Sequence, residues 1–456
     1  MKFERQEFLD ELVGKVRNGR MTRRTFMERA VALGIGSSAA LTLLEACGGS
    51  ANAGQSTTLT YWNLFGGGDG VRMIQMQGDY SKQFPDVDLQ AVTLTWGDPY
   101  YTKLAMAAAG GRPPDVAISH ITRMRTYAAQ GLLEPFDLNE LANAGITEDN
   151  FLPLIWQRGL YNGQLYAVPL DTHPFVAYYN TEIAKNAGLL DAHGNLKPIQ
   201  GPDALLNALR SGKEAAGAGG YGVVFEIEGV TPWRLFSTLY SQMGGQVLSP
   251  DGKELIMDDG MAEEVLAFMT QITTSKLAAQ NIDYAGAVAL FGSGKSAFHW
   301  NGEWEVTTFV TQKTPFNMVP FPLVYNDYHT QADSHSFVLP RQSAVDPTRR
   351  AATLKFISFM LQDSFTWAQG GHVPAYLPVT ESAAYKNLKP QSNYASVAPS
   401  AVLDPAAWFS GSGSEMENQA GAAFQNALNG LVTPAQGIQQ FRTAVESLLA
   451  VKLPFA

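Results

Sequence analysis

The chain has 456 residues, with 32 lysines and arginines against 42 aspartates and glutamates, which gives a formal net charge of −10. An acidic chain lacks the basic surface that nucleic-acid backbones require, so we expect no nucleic acid among its partners. The single cysteine excludes a disulfide within the chain, and the length is sufficient for two or three domains.

The N-terminal segment has the pattern of an export signal. Thr22-Arg23-Arg24-Thr25-Phe26-Met27 resembles the twin-arginine motif, and the uncharged stretch Ala30–Leu44 that follows is shorter than the ~20 residues of a membrane-spanning helix. A small residue before a lone cysteine is typical of bacterial lipoproteins. We therefore predict a signal over 1–46, a lipid anchor on Cys47 that holds the protein on the outer side of the membrane, and a flexible tether over 47–57. The alternative for the cysteine is a buried thiol in a core helix.

Strands and helices alternate in the next part of the chain. The periodicity predicts strands over 58–62, 87–95 and 115–119, and helices over 71–84 and 101–109. This order favours a mostly parallel sheet, in which ligands bind beyond the carboxyl ends of the strands. The candidate ligand-binding residues at that edge are Asn63, Phe65, Gly67, Ser119 and His120.

Three later segments are predicted to cross between two domains. Asp171-Thr172-His173-Pro174 interrupts two strand-like pieces, the strand over 334–341 returns to the first domain, and 370–378 forms the third crossing. The predicted boundaries place 58–171 and 330–374 in the first lobe, and 172–329 and 375–456 in the second.

Five segments together resemble the extracellular solute-binding proteins of ABC importers, in the sugar-binding branch that includes maltose-binding protein. They are Tyr61–Asn63, Arg112–Val116, Gly131–Phe136, Leu165–Pro169 with Tyr178–Glu182, and Phe291–Trp304. The resemblance covers 57–450 and implies a periplasmic-binding-protein-like α/β fold, with two α/β lobes, a three-segment hinge and a ligand cleft between the lobes. It also implies a monomer that closes on a sugar or oligosaccharide and delivers it to the transmembrane subunits of an ABC permease.

A sugar cleft needs aromatic platforms and convergent polar groups. Trp304 matches the stacking tryptophan of the family. Trp233 and Trp408 are further candidate platforms, although either could equally pack in a core. Trp300 is expected to be a core residue. The remaining candidates are Asp171, His173, Asn301, Gly302 and Glu303. Asp171 could instead cap a turn.

Neither a cofactor nor a metal ion is expected. No second histidine lies at ligand spacing from His120, and the P-loop-like Gly292–Ser296 lacks its first glycine, because position 289 is Ala289.

We predict that the chain is not an enzyme. The alternatives left open are the same fold binding a glycerol phosphodiester, a peptide or an amino acid, a carbohydrate-active enzyme with paired carboxylates such as Asp258 and Asp259, and a sensor. An anionic ligand would need an arginine clamp, for which the candidates are Arg112, Arg123 and Arg125.

Overall fold

The computed structural model describes residues 56–452. The predictions of a twin-arginine signal and of lipidation at Cys47 concern residues outside this range. Within it, no helix combines the length and the apolar character needed to cross a membrane.

The described chain alternates strands with helices. The strands are β1 (Thr57–Asn63), β2 (Val87–Thr93), β3 (Val116–His120), β4 (Leu133–Glu134), β5 (Leu160–Tyr161), β6 (Gln164–Leu165), β7 (Val168–Pro169), β8 (Asp171–Asn180), β9 (Tyr221–Val224), β10 (Ser296–Gly302), β11 (Phe316–Pro320), β12 (Thr330–Asp333), β13 (His335–Pro340), β14 (Val373–Pro374) and β15 (Ala401–Val402). The α-helices are α1 (Gly70–Gln83), α2 (Asp98–Ala109), α3 (Ile121–Ala129), α4 (Leu138–Asn143), α5 (Pro153–Arg158), α6 (Thr181–Asn186), α7 (Pro202–Ala216), α8 (Thr231–Gln242), α9 (Asp259–Thr274), α10 (Tyr284–Gly292), α11 (Val306–Gln312), α12 (Pro347–Gln362), α13 (Ser364–Ala368), α14 (Leu377–Thr380), α15 (Ala383–Lys386), α16 (Glu415–Leu428) and α17 (Pro434–Leu449). Short 3₁₀ segments are Glu148–Asn150, Glu303–Glu305 and Gln391–Ser400.

The first sheet has the strand order β2-β1-β3-β13-β4, and β7 also pairs with β13. β1 runs parallel to both β2 and β3, whereas β13 is antiparallel to β3. The alternation along β1 buries Leu59 and Tyr61, and the Tyr61 ring packs 5.0 Å from the ring of Phe356 on α12. This sheet and its helices form one lobe with its own core.

The second sheet has the order β15-β12-β8-β10-β9, with β11 and β14 also paired to β8. β8 is buried along its whole length, as expected for a strand that has neighbours on both edges. It ends at Asn180, whose side-chain oxygen caps α6 by accepting from the backbone N–H groups of Glu182 (3.1 Å) and Ile183 (3.0 Å). Trp300 on β10 is buried against Phe225 in this second core, as predicted.

The chain crosses between the sheets at three places. It passes from β7 to β8 at Leu170, and from β12 to β13 at Ser334. Further on, β14 returns to pair with the start of β8, directly after His372. β12 pairs with β8 and β15 in the second sheet, so the second crossing lies later than the predicted boundary before residue 330. The predicted architecture of two α/β lobes is confirmed.

Candidate functional site

A cavity of about 580 Å³ lies between the two lobes. The first lobe supplies the glycine-rich loop after β1, the loop after β2 and the end of β3. The second lobe supplies the segment after β9, helix α8, the start of α10 and the 3₁₀ turn that follows β10. The carboxyl ends of β1, β2 and β3 therefore open onto the cavity, as the parallel-sheet rule predicts, and the volume is typical of small-molecule sites.

Two tryptophans and an arginine form an aromatic wall of the cavity. The guanidinium carbon of Arg234 lies 5.0 Å from the ring centroid of Trp304 and 5.8 Å from that of Trp96, which comes from the other lobe. The indole N–H of Trp304 donates to the hydroxyl of Tyr284 at 2.6 Å. Because its N–H is bonded to Tyr284 and its ring packs beside Arg234, the Trp304 indole is held in one orientation.

Gly302 makes room for the Trp304 ring. A Cβ atom built on Gly302 would lie 1.8 Å from the nearest carbon of that ring, far closer than any van der Waals contact. The Gly302 carbonyl also accepts a hydrogen bond from the Tyr178 hydroxyl at 2.9 Å. Gly302 does not line the cavity itself; it allows Trp304 to lie across the backbone.

The charged groups of the cavity wall are mainly carboxylates. Asp69, Glu226 and Glu305 line it together with Arg234. Burial raises the pKa of Glu305, whose oxygen accepts from the Tyr284 hydroxyl at 2.6 Å. Such a surface offers many acceptors to hydroxyl donors, and it would repel an anionic ligand.

Behind the cavity, the three crossings bring together a buried cluster of polar side chains, which we call the hinge cluster: Asp69, Asp171, His173, Glu303, His335 and His372. The Asp171 carboxylate lies at its centre and is fully buried. It accepts hydrogen bonds from His173 Nδ1 (2.9 Å), His335 Nδ1 (2.8 Å), the His335 backbone N–H (2.8 Å) and Trp367 Nε1 (2.7 Å). Because a carboxylate only accepts, both imidazoles hold their proton on Nδ1.

His372 occupies a strongly anionic position in the hinge cluster. Its Nδ1 lies 2.9 Å from Glu303 Oε1 and 3.3 Å from Asp171 Oδ2, and its Nε2 lies 3.3 Å from Asp69 Oδ2. Burial alone would lower the pKa of His372, but the facing Asp171 and Glu303 carboxylates raise it to about 10. Its ring stacks on Trp367 at 4.1 Å. His372 is therefore an imidazolium that touches both lobes and the first crossing.

Two other imidazoles of this region, those of His335 and His120, are neutral. Burial lowers the pKa of His335 to about 4, even though Asp171 opposes that shift. Burial, with His335 and His173 nearby, also holds the pKa of His120 well below its usual value. For Asp171, burial would raise the pKa, yet His335, His372 and His173 hold it well below its usual range. His335 lines the cavity and holds its proton on Nδ1, so its Nε2 is unprotonated and can accept from a ligand hydroxyl.

Among the predicted ligand-binding residues, five line the cavity: Phe65, Gly67, His120, His173 and Trp304. Asp171 and Glu303 lie behind it in the hinge cluster, where Asp171 holds the His173 ring in place. The structure thus brings residues from both lobes and from the first crossing to one cavity.

Three predicted polar residues do not line the cavity and are bonded within their own lobes. Asn63 Oδ1 accepts from Thr93 Oγ1 at 3.0 Å, Ser119 Oγ donates to the His120 carbonyl at 3.1 Å, and Asn301 Nδ2 donates to the Tyr284 hydroxyl at 3.1 Å. All three are buried. They shape the loops that carry their cavity-lining neighbours.

The structure corrects the interpretation of two tryptophans as platforms. Trp233 is 1% exposed and packs in the second core, with its N–H donating to Asp404 Oδ1 at 2.9 Å; the next residue on α8, Arg234, reaches the cavity instead. Trp408 is half-buried against the second core and does not line the cavity. Its loop contacts the other lobe through backbone, since the Trp408 carbonyl accepts from Thr126 Oγ1 at 3.2 Å.

Sequence reasoning missed several residues of the site: Trp96, Glu226, Arg234, Tyr284, His335 and His372. His335 and His372 lie on the predicted second and third crossings, so the argument that selected Asp171 and His173 would have found them. Trp96 follows β2, where the rule for strand ends also applies. Arg234 and Tyr284 lie near helix starts and carry no comparable signal.

None of the three arginines proposed as an anion clamp lines the cavity. Arg123 lies over the Tyr101 ring at 4.4 Å and donates to the Ser412 carbonyl at 3.4 Å, a contact between lobes. Arg125 lies 5.6 Å from the Tyr161 ring. Among the described residues, no pair of arginines that would bind a phosphate or carboxylate lines the cavity.

Comparison with known proteins identifies the family. The family model of bacterial extracellular solute-binding proteins matches residues 67–364. The chain is 25% identical over 419 residues to the maltooligosaccharide ABC transporter solute-binding lipoprotein of Streptococcus pneumoniae, which covers 84% of this chain and 91% of that protein.

Solved structures give the same fold. The GacH receptor of Streptomyces glaucescens, determined without ligand and with acarbose, has a TM-score of 0.73 at 19% identity, covering 86% of this chain and 98% of its own. The substrate-binding protein Lmo0181 of Listeria monocytogenes, in complex with cycloalternan, has a TM-score of 0.72 at 20% identity, covering 87% of this chain and all of its own.

Proposed function

Since this chain belongs to the bacterial extracellular solute-binding protein family, we propose that it captures an oligosaccharide in the cavity between its lobes. It then delivers the sugar to an ABC permease. The observation that carries the proposal is the Trp304 indole, fixed by Gly302, Tyr284 and Arg234 against an interlobe cavity of about 580 Å³. A flat apolar ring beside hydrogen-bonding groups suits the C–H face and the hydroxyls of a pyranose.

The charge of the cavity favours a neutral ligand. Three carboxylates and one arginine line it, and the arginine lies between two indole rings. Sugar hydroxyls can donate to the carboxylates and to the unprotonated Nε2 of His335, and can accept from Arg234. A glycerol phosphodiester or a peptide carboxylate would meet net negative charge, which disfavours it.

The known names of relatives support the same ligand class. The pneumococcal relative is named for maltooligosaccharides, and the two structural neighbours were solved with acarbose and with cycloalternan. The similarity to those structures supports the fold, whereas the residues that line the cavity support the proposed ligand class.

Transport would proceed by closure of the lobes around the bound sugar. Ligand contacts made by Trp96 from one lobe and by Trp304 from the other favour the closed form, and the permease recognises that form. The lipid on Cys47 would keep the protein close to the permease and raise its effective concentration there. A twin-arginine signal would carry the chain across the membrane already folded.

A thermal-shift screen tests the proposed ligand class. Maltooligosaccharides, other neutral oligosaccharides, sn-glycero-3-phosphocholine and short peptides are added at equal concentration to the purified protein. A ligand at 100 times its Kd stabilises the native state by about 2.7 kcal/mol, so we expect a rise of a few degrees in Tm with at least one oligosaccharide. A shift with the phosphodiester or the peptides alone would show that the ligand class is wrong. Chromatography of the sugars after incubation would reveal shortened products if the protein were an enzyme.

A further inference from the structure

The hinge cluster contains several nitrogen and oxygen atoms that could bind a cation, and its internal hydrogen bonds do not engage all of them. Four of the seven histidines of the chain, His120, His173, His335 and His372, lie at the hinge. One ligand atom each from Asp171, His173, His335 and His372 lies within 4.8 Å of the others, and all four residues are buried. From this geometry we propose that these four residues bind a divalent transition-metal ion of the zinc class.

The distances suit one ion. Asp171 oxygens lie 2.9 Å from His173 Nδ1, 2.8 Å from His335 Nδ1 and 3.3 Å from His372 Nδ1. Neighbouring ligand atoms in a tetrahedral zinc site are about 3.3 Å apart, given metal–ligand distances of about 2.0–2.1 Å. The Asp171–histidine pairs are already near this spacing, whereas the ligand atoms that lie up to 4.8 Å apart would have to move closer together for one ion to bind all four. Imidazole and carboxylate donors select zinc, cobalt or nickel over calcium or magnesium.

The surroundings also match those of a metal site. Metal-bound histidines commonly donate their second N–H to a carboxylate, and metal-bound carboxylates accept further hydrogen bonds. His372 Nε2 faces Asp69 at 3.3 Å, and Asp171 accepts from the Trp367 N–H at 2.7 Å and from the His335 backbone N–H at 2.8 Å. These hydrogen bonds would orient the ligand side chains without blocking their metal-binding atoms.

Glu303 supplies the second, independent observation. Its carboxylate is fully buried, and neither oxygen meets a donor at hydrogen-bonding angles among the described residues, although Oε1 lies 2.9 Å from His372 Nδ1. Asp171 and Glu303 place two buried carboxyl groups in the hinge cluster, and in the described part of the chain their ion pairs involve only histidines. A divalent ion would lie beside both carboxyl groups and bind the Nδ1 of His372, which now lies 2.9 Å from Glu303 Oε1.

The consequence concerns the hinge itself. His173 and Asp171 lie on the first crossing, His335 on the second and His372 on the third, so one ion would tie all three interlobe segments together. His173 and His335 also line the ligand cavity. The ion would therefore fix both the hinge and the floor of the cavity, whatever the identity of the transported solute.

Metal binding can be measured directly on the full chain, purified without a histidine tag or chelator. We expect about one equivalent of metal per chain by mass spectrometry of the metal content. After removal of the metal with EDTA, Co²⁺ should give a visible d–d absorption that saturates at one equivalent and that Zn²⁺ abolishes. Zn²⁺ should also raise the Tm of the metal-free protein.

Three variants assign the site. H335Q and H372Q should each weaken Co²⁺ binding at least tenfold, whereas H193Q, which replaces an exposed loop histidine, should bind as the wild type does. If the wild type yields no Co²⁺ absorption and no stoichiometric metal, the proposal is wrong and the cluster holds a proton on His372 instead. The same conclusion follows if H335Q and H372Q, folded by circular dichroism, keep the wild-type spectrum and affinity. If either variant fails to fold, the wild-type titration decides alone.

Discussion

Replacing Trp304 by alanine removes the aromatic wall of the cavity and tests the proposed function most directly. One face of the indole, about 80 Å² of a side chain that buries 150–250 Å² in all, would be covered by a stacked sugar. At about 25 cal/mol per Å² this contact contributes about 2 kcal/mol. We therefore expect Kd to rise about 30-fold, while Arg234 keeps its contact with Trp96 at 5.8 Å.

Titration calorimetry with the oligosaccharide that gives the largest thermal shift measures this change. The matched control is Trp408→Ala, which truncates another half-buried tryptophan, outside the cavity, and should leave Kd within about twofold. The Tm of the Trp304 variant should stay close to that of the wild type, because the ring borders an open cavity rather than the core. An unchanged Kd in this variant would refute the reasoning. Loss of the folded state would show that Trp304 is a core residue.

Three further predictions each concern a single residue or a pair of residues. Gly302→Ala should displace the Trp304 ring, because the added Cβ would lie 1.8 Å from it, and calorimetry should show about tenfold weaker sugar binding with a fold that survives; wild-type affinity would contradict this. Burial raises the pKa of Asp404 to about 6 and that of Glu417 to about 8. At a pH between the ordinary carboxyl pKa and these raised values, each group is protonated in the folded state but ionised in the unfolded state, so the folded state binds more protons. The contribution of these two carboxyls to the free energy of unfolding should therefore fall as pH rises from about 4.5 to 8, by up to about 1.4 kcal/mol per pH unit and group, while the lowered pKa of His335 acts in the opposite direction at acidic pH. Urea titrations should therefore compare the wild type with Glu417→Gln, and we expect the variant to gain stability relative to the wild type as pH rises through this range. A difference between the two that stays constant with pH would contradict it. Cys47→Ala should move the protein from the membrane fraction to the soluble fraction while its Kd for sugar stays the same, and retention in the membrane fraction would disprove the anchor.

Part of the site could be predicted because its residues follow a local rule. The ends of β1, β2 and β3 carry cavity residues, as parallel sheets require, and Gly67 and His120 were selected by that rule. The same rule also selected Asn63 and Ser119, whose side chains bond within the lobe. Position along a strand indicates the edge of the sheet, but it does not fix the direction in which a side chain points from the loop.

Two tryptophans show why position in the sequence does not reveal whether a side chain faces the cavity or the core. Trp233 and Trp304 both lie near the start of an element in the second lobe, with similar polar and apolar neighbours in sequence. Trp233 turns into the core because Asp404, 171 residues later, accepts its N–H. Trp304 faces the cavity because Gly302 leaves space for its ring and Tyr284 accepts its N–H.

The sequence by itself determined the alternation of strands and helices, the existence of three crossings and the family, because these depend on periodicity and on short motifs that neighbouring residues complete. Only the tertiary structure decided which side chains share the cavity and that the hinge cluster exists. Asp69, Asp171, Glu303, His335 and His372 are separated by up to about 300 residues in the chain, and no local pattern relates them. They meet because the three segments that join the two sheets run side by side, and the loop after β1 and the turn after β10 end against them. This arrangement concentrates polar residues from distant parts of the chain in one buried volume.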